Sequence, residues 1–375
     1  MIKRILTLIF LLFLFSFQVS AESTSADEFY YNQYKSSGAG ELEGYLPEET
    51  REYFKDNNID PLKSGWTDSL EPKNVFTHIL SFLKSGAKGP FASGSVIIAI
   101  ILVSSALNGM DIKGASSVAT GYAVSLTAAA SVITPIFSVI SAGANALKGC
   151  AAFMVAFVPV FAVIVASSGA TATSASMSGL LLGACQAVNL IADFVIMPLM
   201  GGYLAISIAS NVSPLVENSG LASGIKKICY WVMSLLTTVF LGILSIQTAV
   251  NASADTLSLK TAKFIIGSSV PMAGTALSEV LATVTASMGM LKTTVGIYGV
   301  IACAAVFLPI LAELVLWRIT FNITATISDL MSVPKISSVL RSADTVLSVL
   351  IGIILLTAAM FIISLGVVLA AGGTK

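Results

Sequence analysis

From Phe91 to Ala370 the chain returns again and again to apolar stretches longer than a soluble helix needs, and that recurrence limits what it can become. A hydrocarbon core roughly 30 Å thick is crossed by about 20 helical residues. Read by that length, the sequence predicts eight spans, at approximately 91–109, 119–142, 150–168, 180–209, 228–248, 264–289, 295–317 and 346–370, or seven if 264–289 is re-entrant. Composition agrees: 55% of residues are hydrophobic and 11% charged, with a mean hydropathy of +0.90, far from a soluble domain. The expected fold class is an all-α polytopic membrane protein, a helical bundle of about eight spans.

Outside the spans the organisation follows from charge. Lys3 and Arg4, an apolar run Ile5 to Phe17 and small residues Val19-Ser20-Ala21 read as a signal peptide over 1–21. Residues 22–72 form an acidic leader on the extracytoplasmic side; Glu22 to Glu71 hold twelve acidic residues against four basic ones. Its first part is expected to be flexible. A short helix is expected from Pro47, stopped by Asn57-Asn58 and Pro61, too small to hold a core alone. Residues 73–90 read as an interfacial amphipathic helix, with Val75, Phe76, Ile79, Leu80, Phe82 and Leu83 on its apolar face. Residues 91–209 and 210–375 are then two four-span halves. FVPVFAVIV at 157–165 resembles FLPILAELV at 307–315, an offset of 150 shared by TSASMSGL at 173–180 and ITATISDL at 323–330. With eight spans that offset makes a 4+4 parallel internal repeat, a plan used by transporters with a pathway between halves.

Several function classes are excluded. No basic stripe exists to track phosphates, so nucleic acid is not an expected partner. There is no P-loop, H-E-x-x-H or C-x-x-C, and the single histidine, His78, has no companions; neither catalytic nor metal-binding residues are expected, and no cofactor. Cys150, Cys185, Cys229 and Cys303 all sit in apolar segments and read as small buried hydrophobes.

What remains chemically informative is polarity at membrane depth. In the stretch Lys263–Lys292, residues Gly274, Ser278, Ala282 and Ala286 make a small-residue ridge for close helix approach. Beside it run Thr275, Glu279, Thr283 and Ser287, a polar stripe with one carboxylate. In span four Gln186, Asn189 and Asp193 share a face, and Pro198 and Gly201-Gly202 bend or break the helix behind them. Pro159 and Pro309 interrupt spans three and seven, and Glu313 follows one turn after Pro309, close to Trp317 and Arg318. A carboxylate in hydrocarbon is costly, so Glu279, Asp193 and Glu313 face protein or water. They line a polar path, or they bond neighbouring helices; Glu313 has the further choice of pairing with Arg318.

The order of features resembles a known family. A signal, an acidic leader with LPEE and NNIDP, the segment SVPMAGTALSE, a span with FLPILAELV and a final apolar helix are together similar to the stage III sporulation protein AE family. The most specific part is the V-P-x-x-G-x-x-L-S-[DE] stretch, here Pro271, Gly274, Leu277, Ser278 and Glu279; spans one to five match by order and length. The resemblance implies a multi-pass component of a channel or secretion-like complex between mother cell and forespore, needed for late forespore gene expression. It implies a place in the mother-cell membrane around the engulfed forespore. The implied partners are the other membrane proteins of the stage III operon, a cytoplasmic secretion-type ATPase and a forespore-side protein. No catalytic residue carries over. A secondary transporter for a small solute and a non-conducting scaffold are the alternatives, and the repeat and buried carboxylates suit the first of these.

Overall fold

The computed structural model describes residues 24–63, 66, 77, 81, 83–84, 86–109, 115–212, 219–269 and 274–370; within 262–285 it describes backbone alone. The expected signal peptide, Pro271 and most of the expected amphipathic face at 73–90 lie outside the described residues. Among these residues the fold is all-helical: α1 Thr24–Ser36, a 3-10 helix Ala39–Tyr45, α2 Glu48–Asp56, α3 Lys88–Gly109, α4 Ala115–Ser167, α5 Thr171–Ile191, α6 Met197–Val212, α7 Ser219–Ser269, α8 Gly274–Leu330 and α9 Pro334–Ala370.

Six helical stretches among the described residues are long and apolar enough to cross a membrane, not eight. The reason is continuity. The expected spans 119–142 and 150–168 lie in one helix, α4, of 53 residues, and the part of 264–289 from Gly274 on continues into 295–317 within α8, of 57 residues. At 1.5 Å per residue these helices are roughly 80 and 85 Å long. The polar punctuation that suggested loops, GANALKG before Cys150 and GMLKTT after Met288, consists of residues a helix tolerates. Pro159 and Pro309 also sit inside unbroken helices. Pro198, by contrast, leaves a mark: the turn ahead of it, Ala192–Ile196, widens to a π-helix between α5 and α6. A proline cannot donate to the carbonyl four residues back, and the wider turn accommodates the missing bond.

Two hairpins carry the bundle, α4–α5 and α8–α9, and both close with the same hydrogen bonds. Ala170 N–H donates to Val165 and Gly169 N–H to Ala166, at 3.2 and 3.0 Å; Val333 N–H donates to Ser328 and Ser332 N–H to Asp329, at 2.9 and 3.1 Å. Gly169 and Ser332 take φ of 93° and 56°, so both are left-handed caps of the Schellman type. The shared offset is 163, not 150. The segments paired at offset 150 fall on opposite sides of the turns, 173–180 opening α5 and 323–330 closing α8. The parallel 4+4 repeat is therefore not what the helices display. α4 and α8 run antiparallel, with Phe157 against Gly299 and Cys150 against Cys303, so the two turns lie at opposite ends of the bundle.

The centre is α9, which packs against α4, α5, α6, α7 and α8. Close approach depends on missing side chains at several glycines, Gly143 and Gly299 the tightest. A Cβ on Gly143 would come within 2.5 Å of Leu350, and one on Gly299 within 2.4 Å of Phe157. Phe157 in turn stacks with Phe161 at 5.2 Å and meets Phe361 edge-on at 5.8 Å.

Where it is described, the leader is helical and seated on the bundle. The helix expected from Pro47 is α2, ended at Asn57, with Asn58 at φ 51°. Before it, α1 and the 3-10 helix bury Tyr34, Ala39 and Leu42 against the bundle. The leader has too little apolar surface for its own core and borrows one from α4 and α8. The Phe54 ring meets Tyr298 edge-on at 5.3 Å, and Gln33 Nε2 donates to Ser287 Oγ at 3.4 Å. Burial pushes the Tyr34 phenol above its usual range.

Candidate functional site

Among the described residues, polar side chains of different helices meet at several places, three of which bear on the candidate site. The first lies where α7 crosses the start of α5. Gln247, Asn251 and Asp255 are spaced four apart on α7 and form one stripe. Asn251 Nδ2 donates to Ser176 Oγ, and the Asp255 carboxylate accepts from the backbone N–H of Ala172 at 2.7 Å, from that of Thr173, and from Thr173 Oγ1. Asp255 thus caps α5 from another helix, its charge set against the positive end of the helix dipole. It is 5% exposed, so only this set of donors makes the buried charge tolerable.

Lys292, 3% exposed on α8, lies within electrostatic reach of Asp255 and donates from Nζ to the Val368 carbonyl at 3.3 Å. Val368 is two residues from the end of α9, where a cation complements the negative dipole end. Apolar length alone sets Lys292 between two expected spans and leaves 249–263 outside them. The spacing of Gln247, Asn251 and Asp255 was the signal that could have extended α7 through that segment.

The second place joins α8 to α9. Arg318 grips Asp344 with two bonds, Nε at 2.7 Å and Nη2 at 3.2 Å, and Asn322 Nδ2 adds a third at 2.9 Å. Both charges are only partly exposed, 27% and 20%, and the two-pronged geometry is the strong form of this pair. Arg318 is therefore taken, and Glu313 does not pair with it; Glu313 accepts a bond from Trp317 Nε1 at 3.4 Å.

The third place holds the residues expected from span four. Asp193, in the π-helical turn, pairs with Lys148 of α4 at 3.3 Å, at an edge where Lys148 is 59% exposed. Asn189 reaches only Cys185 Sγ, at 3.9 Å, and Gln186 is exposed. The π-turn begins only at Ala192, so Gln186 and Asn189 keep ordinary helical spacing and Asp193 follows them at its first turn. Thr275, Glu279 and Thr283, with Gly274, Leu277 and Ser278, fall in the first turns of α8, whose backbone is helical; their side chains lie outside what is described, as does all of Pro271.

Among the described residues no group of three or more His, Cys, Asp or Glu side chains could hold a metal ion. A cavity of about 10 Å³, room for about one water, sits among Cys150, Met154, Cys185, Phe240, Thr357 and Phe361. The arrangement binds helices to one another through charge.

No solved structure matches this fold. The chain is 29% identical over 230 residues to "Stage III sporulation protein AE" of Bacillus subtilis (strain 168), an alignment covering 61% of this chain and 57% of that protein. The family model described as Stage III sporulation protein AE matches residues 55–372, a stretch that begins inside α2 and ends beyond α9, and so the chain belongs to that family.

Proposed function

We propose that this chain is the multi-pass membrane component of a sporulation-specific channel or secretion-like complex between mother cell and forespore. In this reading it contributes the conduit or gate, sits in the mother-cell membrane around the forespore with residues 22–90 outside the cytoplasm, and carries out no catalytic step. Its partners are the other stage III operon membrane proteins, a cytoplasmic secretion-type ATPase and a forespore-side protein. The observation that carries the reading is the family match over 55–372, joined to six helices apolar enough to cross a membrane.

A scaffold is the second reading, favoured by one specific feature. Asp255, Arg318 and Asp344 spend their charges on other helices and leave little for a passing solute. Complementing a deletion strain with Glu279→Gln and Asp255→Asn separates the two. A conduit loses late forespore reporter expression while the complex still co-purifies; a scaffold loses co-purification first. Normal reporter activity from both variants removes the polar residues from either role.

A further inference from the structure

The charges on the long helices mark out a slab. Lys148 and Asp193 pair at one edge, while Asp255, capping α5 and in reach of Lys292, marks the other. Between these edges α4 from Gly149 to Ser167, α5 from Thr171 to Ile191, and α8 from Thr293 to Ala312 hold no charged residue. Nor does α7 from Ile228 to Ala254. About 20 residues of helix is roughly 30 Å, the depth of a hydrocarbon core.

The two flanks of this slab differ in kind. On one, the leader is seated directly on the charge-free stretches: Pro47 lies against Gly149, Gly38 against Val160, and Phe54 against Tyr298. Its outward side exposes Glu41, Glu43, Glu48, Glu49 and Glu52. On another flank stands α7, packed on α5, α6, α8 and α9, with Phe240 in the same cavity as Cys150 and Met154 and therefore at the same depth. There α7 exposes Leu241, Ile243, Ile246 and Val250. Carboxylates are not held against acyl chains, and exposed aliphatic residues in this number are not left in water.

We infer that at hydrocarbon depth the leader-covered flank of α4 and α8 borders a water-filled space, while the α7 flank borders lipid. This deepens the conduit reading and rests on it: the leader would line the wet side of the path. The full-length protein in proteoliposomes tests it, with nitroxide labels at Glu48→Cys and Ile246→Cys, and at Glu43→Cys and Val250→Cys as a second pair. All four positions are exposed and the four native cysteines are buried. The expected result is a label at 48 and 43 relaxed by a water-soluble nickel chelate, and one at 246 and 250 relaxed by oxygen and not by the chelate. Chelate access at 246 and 250 equal to that at 48 would overturn the inference, since this half of the bundle would then stand outside the bilayer; oxygen-dominated relaxation at 48 would overturn it too. Label accessibility does not depend on transfer to the forespore, so a wet flank in a protein that transfers nothing would sink the conduit reading alone.

Discussion

Helices α9 and α7 are both long and apolar, and they occupy opposite situations. The most apolar stretch of α9 has a mean hydropathy of 2.9 and is 61% buried; that of α7 has 1.9 and is 17% buried. α9 is apolar on every side and buries Val346, Leu347, Val349, Leu350, Ile353 and Ile354 almost completely, as a helix surrounded by other helices must. α7 turns Leu235, Val239, Ile246 and Val250 outward and secures itself through Phe240, Leu244, Asn251 and Asp255. Hydropathy says that each can cross a membrane. It does not say which one is the axis and which one hangs at the side.

The sharpest test of that arrangement is all-or-none. Reporters inserted at Gly169 and Ser332 are expected on opposite sides of the membrane, because the two hairpin turns cap opposite ends; the eight-span reading puts them on the same side. Next in size is the core of α9. Leu350→Ala is expected to cost about 2–5 kcal/mol, seen as a lower unfolding temperature in detergent. Asp344→Ala strips Arg318 of its partner and is expected to cost about 1.5–3 kcal/mol by the same measurement. Asp255→Ala removes the cap on α5 and is expected to cost about 0.5–2 kcal/mol while making the α7–α5 contact accessible to hydrogen exchange. Ile246→Ala, on the outer side of α7, should stay within about 0.5 kcal/mol. If Ile246→Ala destabilises as much as Leu350→Ala, α7 is not peripheral and the contrast between the two helices fails.

Much of the candidate site escaped the sequence for one recurring reason. Lys148 and Lys292 fall between spans set by apolar length, since a lysine at the end of an apolar run is the usual sign that the run has left the membrane. Both lie in continuous helices, one exposed beside Asp193 and the other buried beside the end of α9. Asp344 was legible as an acid and Arg318 as a base, yet nothing local indicated that they would meet across a hairpin. Helical spacing sets Asp193 one turn after Asn189, and only the packing of two helices brings it to Lys148.

The sequence by itself determined the class. Apolar runs of this length, so few charges and an acidic leader admit little besides a helical membrane bundle, and the V-P-x-x-G-x-x-L-S-E pattern from Val270 to Glu279 pointed to the family. Tertiary structure alone decided the number of separate helices, the antiparallel pairing of α4 with α8, the central place of α9 and the seat of the leader. The physical reason is that burial from water is a property of each segment, legible residue by residue. Close approach at Gly143 and Gly299, the pairing of Arg318 with Asp344, and the capping of α5 by Asp255 are properties of two segments at once, and no single stretch of chain contains them.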